Sequence, residues 1–513
     1  MKSAMIREKY RKTTRGIVVI LREWLNQIDT RFVVAFTLPF CVYLLTLAPT
    51  IYNLDSAELT TAAATGGIVR STGYPLYLTI GYFWSRIPIG DVGYRMNLLS
   101  AVCGAFTIAL VARILRQLRI GPWASFGALG LLACSTYFWA LSLIAEVYTM
   151  HTVLMAGLIL ALLHWGNDPK PYRLACVGLM LGLGASHHGA TILLIPGCVW
   201  YILTVAPRQA LKPRAFLFAA GLFLLGASFY LYLPLRYSAR PAFNYAGHYD
   251  ASGAFVPVNL HTLEGLWWLV SGRQFANCMF AYSGNALWQE VVQFGIQLWR
   301  AFFAIGIGPG LLGIGLLLYH NWRLGGMLLL MFLTNAGFYI LYHVADKVTM
   351  FLPAYLIWTL WLGIGYQWLL KWVRKVDDIK LKRLHFLVVC TIIIGVVLLS
   401  LIWNWRLVDL SNDWSTRERG EAILQVVASD AIVLGWWDII PAIKYLQLVE
   451  NQRPDVQAIN RFMIDFDDMY HLIIQNIEHY PIYIDKVSPG LYRFVEAESV
   501  EFMYKLQTID SED

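Results

Sequence analysis

Charge is scarce in this chain: only 14% of its 513 residues are Asp, Glu, Lys or Arg, against 58% hydrophobic residues and a mean hydropathy of +0.54. Soluble globular domains carry roughly a quarter of their residues charged, so a wholly soluble protein is excluded. A disulfide scaffold is excluded as well. Cys41, Cys103, Cys134, Cys176, Cys198 and Cys390 lie inside apolar runs, and Cys278 stands alone in a polar loop. There is no P-loop and no glycine-rich dinucleotide fingerprint, and no nucleic-acid partner is expected. No N-x-[ST] sequon occurs, which fits a bacterial chain. The basic N-terminus lacks a short apolar core followed by a small-residue cleavage site, so no removable signal peptide is expected.

What is present is a succession of long apolar runs, each able to cross a hydrocarbon core of about 30 Å. Lys2, Arg7, Lys9, Arg11, Lys12, Arg15 and Arg22 place the N-terminus in the cytoplasm, because basic residues stay inside. Residues 32–47 then cross outward and deliver a short polar segment to the outer face. The apolar stretch 73–87 reads as interfacial, because counting it as a span would put Arg113, Arg116 and Arg119 outside. Its Tyr74, Tyr77, Tyr82, Phe83 and Trp84 suit the headgroup level. Further spans are expected near 96–115, 123–142, 147–165, 174–186, 190–205, 216–233, 301–319, 324–342, 350–370 and 385–403. The sum is about eleven, with the C-terminus outside. The 174–186 stretch is short and is expected to tilt or to pair tightly with its neighbour.

Two segments then lie outside the membrane. One is the loop 235–300, rich in aromatics, Gly and Asn, which ends in an amphipathic stretch near 287–299. The other is the tail from Arg406, with about 19 acidic against 9 basic residues. Its helix and strand patterns alternate: helices over 415–428, 439–450 and 466–479, strands over 431–436, 456–460 and 482–485. This predicts a small α/β domain covered on both faces. The expected organisation is a cytoplasmic N-terminus (1–31), a transmembrane domain (32–405) with outer loops 48–95 and 235–300, and an extracytoplasmic α/β domain (406–513).

The polar segment after the first span reads A48-P-T-I-Y-N-L-D-S-A-E-L59. It places Asp55 and Glu58 where a helix leaving the bilayer meets water, and carboxylates at that depth mark a functional site by default. The same spacing also suits a capping box, with Asp55 as N-cap and Glu58 three residues on. Glu146, Asp346, His187 and His188 fall at other outer boundaries, each open to reading as a cap or anchor. The inner loops hold few comparable acids: Asp168, Asp377 and Asp378. Arg236, Arg240 and Arg273 are outer arginines, contrary to the usual distribution. An Arg fork matches a lipid phosphate, although a snorkelling Arg bonded to helix carbonyls is the alternative for Arg236.

The same segment, with G73-Y-P-L-Y77, R95-M-N-L-L-S-A-V-C-G-A-F106, A145-E-V-Y148, G182-L-G-A-S-H-H-G-A190, Y232-L-P-L-R236 and the tail's W437-D-I-I-P-A-I-K-Y-L-Q-L-V-E450, resembles a family of bacterial membrane proteins. That family is related to the vertebrate transmembrane O-mannosyltransferase of plexin and receptor immunoglobulin-like domains. Two places depart from its pattern. R70-S-T-G-Y-P75 stands where a His-Pro-Pro-Gly-Tyr-Pro-like run is usual, and N244-Y-A-G247 where the sequence usually continues toward Asn-Trp-Gly. They bear on the acceptor and donor sugar more than on the fold.

The resemblance implies an α-helical multi-pass membrane protein with a GT-C-like fold, acting as a glycosyltransferase in the bacterial inner membrane. The donor would be a polyprenyl-phosphate sugar, such as a mannose, and the acceptor a protein Ser/Thr or glycan hydroxyl. Asp55 would be the catalytic base with Glu58 beside it, and transfer would invert the anomeric centre. Arg236 and Arg273 would hold the donor phosphate. Tyr74, Glu146, Tyr148, His187, His188 and Asp346 would line the substrate site. No metal or cofactor is expected, although the oxygen ligands of Asp55, Glu58 and Glu146 also suit a hard divalent cation. The rival class is a lipid or sugar transporter, whose marks are internal repeats and polar residues deep within spans. No repeat relates the two halves of the chain.

Overall fold

The structure, a computed structural model, describes residues 29–344, 346–375 and 378–509. The basic stretch from Lys2 to Arg22, read as cytoplasmic, lies outside these residues, as does Asp377. The chain is a multi-pass membrane protein. Among the described residues, six helices are long and apolar enough to cross a bilayer: Val92–Gln117, Tyr148–Asn167, Pro213–Ser238, Trp322–Ile340, Lys347–Lys375 and Ile379–Val408. Shorter apolar helices cover Thr30–Thr46, Pro122–Ala133, Gly189–Val205 and Ile307–His320.

Most apolar runs became helices where hydropathy placed them, with instructive exceptions. The 123–142 run breaks after Ala133, because Ser135 accepts from the Phe138 N–H and caps a new short helix, Thr136–Ala140. The 171–187 helix is short and does pair tightly. A Cβ on Gly178 would sit 2.2 Å from the Ala219 carbonyl, and one on Gly182 would sit 2.1 Å from that of Phe223. Only glycine lets the two backbones approach so closely. The 73–87 stretch forms the helix Pro75–Trp84, too short to cross. Its aromatics divide: Phe83 is exposed, whereas Tyr77 is buried against the 171–187 helix.

The loop 235–300 contains a short hairpin, β1 (Gly247–Tyr249) antiparallel to β2 (Phe255–Pro257), and the helix Gly284–Ala301. The tail folds as an α/β unit with strands β3 (Ile432–Gly435), β4 (Gln457–Asn460), β5 (Ile482–Ile484), β6 (Val495–Val500) and β7 (Met503–Thr508) in the order β4-β3-β5-β7-β6. β3 pairs parallel with both β4 and β5, and the last two strands run antiparallel. Alternate side chains divide the sheet as a pleat requires. Val433, Ala458 and Tyr483 pack with the helices Ser415–Val426 and Ile440–Leu448, while Leu434, Ile459 and Ile484 share a cluster with Leu472 and Ile473 of Phe466–Asn476. The β6–β7 hairpin escaped the sequence reading. Its turn uses Glu501 at φ +49° in place of the Asn-Gly or Asp-Gly pair that usually announces such a turn.

The tail is joined to the membrane domain through both apolar and ionic contacts. Ile51 and Ala57 are buried in one cluster with Ile439, Ile440 and Ile443. Arg417 grips Glu450 with two bonds of 2.6 Å and reaches Asp91, ahead of the Val92–Gln117 helix, at 3.4 Å. The helix Ile440–Leu448 therefore lies on the helix Asp55–Thr65.

Candidate active site

Asp55 opens the helix Asp55–Thr65, and its first turn contains Glu58. Leu54 occupies the cap position at φ +54°, and no side chain caps the helix. The capping-box reading is therefore overturned: Asp55 lies one position too late to cap, so both carboxylates are left to another partner. That partner is Arg70, from the loop that departs from the family pattern. Its guanidinium bonds Asp55 Oδ1 and lies 3.4 Å from Glu58 Oε2, while its backbone N–H donates to Glu58 Oε1 at 3.1 Å.

The tail completes the cluster. Trp437 donates its indole N–H to Asp55 Oδ1 at 3.1 Å. The Arg70 guanidinium carbon lies 4.1 Å from the centre of the Trp437 ring and 5.5 Å from that of Phe275 in the 235–300 loop, so both rings offer it a cation–π face. Both hydrogen bonds to Asp55 fall on one oxygen. Oδ2 carries none among the described residues. Burial separates the two acids. Glu58 is 2% exposed at its side chain and Asp55 23%. Burial pushes the Glu58 carboxyl up to about 8, with Arg70 opposing the rise. Burial also works against the charge on Arg70, but Asp55 and Glu58 together hold it protonated.

The tail reaches Asp55 through the carboxyl ends of its parallel strands. Trp436 and Trp437 follow β3, Asn460 closes β4 with Phe462 just beyond, and Asp485 follows β5. β3 sends the chain to one neighbour and then to the other, so this edge is the switch point of the sheet, where open α/β sheets form their crevice. Phe462 packs edge-on against Trp436 and Trp437 at 5.7 and 5.4 Å.

Beneath Asp55 the membrane helices supply a second polar group. Asn97 is fully buried and bonds the carbonyls of Ala48 and Thr50 and the N–H of Ala145, so that one side chain fixes both the first loop and the turn carrying Glu146. Burial, with Asp55 and Asp346 adding to it, drives the Glu146 carboxyl well above the usual carboxylate range. Tyr74 stacks on His188 at 5.4 Å, and Tyr148 tilts against the same ring at 5.9 Å. His187 Nε2–H donates to the Val147 carbonyl. Asp346 is exposed and feels the charges of Asp55 and Arg70. The structure thus gathers Asp55, Glu58, Tyr74, Glu146, Tyr148, His187, His188 and Asp346 around one centre.

The arginines fare differently. Arg236 bonds the Gly66 carbonyl and, at 3.3 Å, the Thr65 carbonyl, closing the C-terminal end of the Asp55–Thr65 helix where Gly66 takes φ +63°. Both bonds go to helix carbonyls, the alternative open to Arg236 from the sequence. Arg273 is exposed two residues from Phe275 and beside Gly272, whose added Cβ would lie 3.9 Å from Thr72. Arg70, Trp437 and His151 were missed as site residues. Arg70 and His151 had a faint signal, as an outer-loop arginine and a histidine inside an apolar run. Trp437 had none beyond its place in a tail motif. Among the described residues no group of His, Cys, Asp or Glu has the arrangement of a metal centre.

Comparison with known proteins agrees with this architecture. A family model described as "Protein O-mannosyl-transferase TMEM260 N-terminal domain" matches residues 55–211. Protein O-mannosyl-transferase tmem260 of Dictyostelium discoideum is 21% identical over 473 residues, 83% of this chain and 56% of that protein. Protein O-mannosyl-transferase TMEM260 of Mus musculus is 30% identical over 214 residues, 40% of this chain and 30% of that protein. The chain thus spans about half the length of the first of these curated relatives, and its match to the second covers less. ArnT from Cupriavidus metallidurans superimposes with a TM-score of 0.60 at 11% identity, both bound to undecaprenyl phosphate (94% of this chain, 99% of that one) and in the apo state (95% and 98%). The fold is that of ArnT, and the chain is similar in sequence to the TMEM260 proteins.

Proposed function

We propose that this chain, related to the TMEM260 O-mannosyl-transferases and folded as ArnT is, transfers a sugar from a polyprenyl-phosphate donor to an acceptor hydroxyl, with Asp55 as general base. The observation that carries the reading is the partly exposed carboxylate of Asp55, oriented through one oxygen by Arg70 and Trp437. The donor class is supported by the ArnT structure, which holds undecaprenyl phosphate.

An alcohol is a poor nucleophile until its proton is removed. Asp55 Oδ2 takes that proton as the acceptor oxygen bonds the sugar C1. The bond from C1 to the lipid phosphate oxygen breaks with its electron pair, through an oxocarbenium-like state, and attack opposite the phosphate inverts the centre. Arg70 holds Asp55 in place, and its charge together with that of Arg273 stabilises the departing phosphate. Glu58 is a protonated support in this scheme rather than a second base. The crevice edge of the tail, with Trp436 and Phe462, is where the acceptor enters. The C-terminal unit then lies outside the cytoplasm, and the membrane is the bacterial inner membrane.

The test is transfer in proteoliposomes supplied with undecaprenyl-phosphate mannose, with mass spectrometry of envelope proteins and glycolipids to find the product. Asp55→Asn is expected to lower transfer by about 10²–10⁴-fold at unchanged expression. Wild-type rates in that variant would remove Asp55 from the mechanism. Movement of the lipid across the bilayer without product would favour the transporter class.

A further inference from the structure

Below the carboxylate centre, one turn into the span Tyr148–Asn167, lies a histidine that the mechanism above does not use. His151 is 2% exposed, and neither ring nitrogen has a hydrogen-bond partner among the described residues. Its ring faces His188 at 5.3 Å and stacks on His187 at 6.2 Å. The tautomers of these neighbours follow from their bonds. His187 donates from Nε2 to Val147, which leaves Nδ1 an acceptor with no partner. His188 accepts at Nδ1 from the Ala190 N–H, which leaves Nε2 a donor. Glu146 Oε2 and the Tyr77 hydroxyl are also buried without partners, and the Tyr77 ring lies 6.2 Å from that of His187.

Buried polar atoms are nearly always satisfied, and a whole cluster left over in one place has the composition of a binding surface. It contains both donors and acceptors. A neutral imidazole offers one of each, a protonated carboxyl offers both, and a phenol offers both. That suits a ligand whose hydroxyls each donate and accept. Charge is nearly absent from the cluster, which disfavours a phosphate there. The flat rings of His188, Tyr74 and Tyr148 add faces against which a pyranose can lie. Tyr74 links the cluster to the carboxylates: it stacks on His188 and bonds the Ser71 carbonyl, next to Arg70.

We propose that His151 forms the floor of a subsite for the hexose ring of the donor, with His187, His188, Glu146 and Tyr77 as its walls. This rests on the glycosyltransferase reading and assigns the sugar to the membrane side of Asp55, the acceptor to the tail side. His151 binds sugar hydroxyls and takes no part in proton transfer.

The experiment compares binding of undecaprenyl phosphate and undecaprenyl-phosphate mannose to the full chain in detergent. Wild type is expected to prefer the mannosylated lipid by about tenfold or more, because a site built for hydroxyls rejects a ligand lacking them. His151→Leu is expected to bring the two affinities together while leaving that for undecaprenyl phosphate unchanged, and His151→Gln to keep part of the preference. The melting temperature of the lipid-free His151→Leu protein should hold or rise, since an unpartnered polar group is lost; a structural histidine would lower it. Equal affinities in wild type, or an undiminished preference in His151→Leu, would overturn the assignment while leaving sugar transfer standing. Binding of neither lipid to wild type would instead bring down the glycosyltransferase reading itself.

Discussion

The floor and the roof of the site follow different rules. The floor, from the membrane helices and first loop, is densely polar and almost closed: Glu58, Glu146, His151 and His187 are all buried. The roof, from the tail, contributes aromatic faces, and Trp436 and Phe462 remain substantially exposed. In the floor, the groups that are paired, such as Glu58 with Arg70 and Asn97 with its three backbone partners, cannot be exchanged without leaving a partner unsatisfied, which is costly at that depth. The roof makes one hydrogen bond to Asp55 and otherwise offers surface. On the proposed function, chemistry and sugar recognition belong to the floor and admission of the acceptor to the roof.

The strongest way to break this division is at Arg70, which belongs to the floor yet touches the roof. Arg70→Ala leaves Glu58 and Asp55 without their cation, and removal of one partner from a buried pair costs about 3–5 kcal/mol. A large fall in melting temperature and loss of transfer are expected. Asp55→Asn in the same protein should restore part of the stability but not transfer. An Arg70→Ala protein as stable as wild type would mean that the floor is open to water.

Trp437 sharpens the comparison from the other side. Trp437→Phe keeps a ring over Arg70 and deletes the N–H to Asp55, a bond to a charged group worth about 1.5–3 kcal/mol. A fall of roughly tenfold in kcat is expected, with the KM for the lipid donor unchanged. If the donor KM rose instead, the roof would share in sugar recognition.

Glu58 supplies a pH signature. Below about 4.5 the group is protonated in both folded and unfolded chains. Between there and about 8 the unfolded chain releases the proton while the folded chain keeps it, so stability falls as pH rises through this window. Melting temperature measured from pH 5 to 8 should decline less steeply in Glu58→Gln than in wild type. Parallel slopes would place Glu58 in contact with solvent.

The smallest effect is expected at Arg236. Arg236→Gln removes a cation from the carbonyl end of the Asp55–Thr65 helix and should cost about 1 kcal/mol of stability, with affinity for undecaprenyl phosphate unchanged. Lost lipid affinity at an unchanged melting temperature would return Arg236 to the phosphate.

The tail and bundle were readable to different depths. Most helices of the bundle, and six of the tail's elements, followed apolar periodicity because burial acts on residues close in sequence. The β6–β7 hairpin did not, since its turn lacks a diagnostic pair. In the site, the positions of Asp55 and Glu58 stood out from their depth alone. Their roles did not, because the spacing that suggests a capping box says nothing about where the helix starts, and Leu54 rather than Asp55 takes the cap.

The sequence by itself determined a membrane protein with polar groups gathered at one end of its helices and an α/β tail. Both are matters of local composition, and hydrophobic burial reads local composition. Only the tertiary structure decided that Arg70 bonds both carboxyl groups, that Arg236 holds a helix end, and that Trp437 reaches Asp55 from 382 residues away. An ion pair or a hydrogen bond between distant segments forms only after packing has brought them together, and no spacing along the chain announces it.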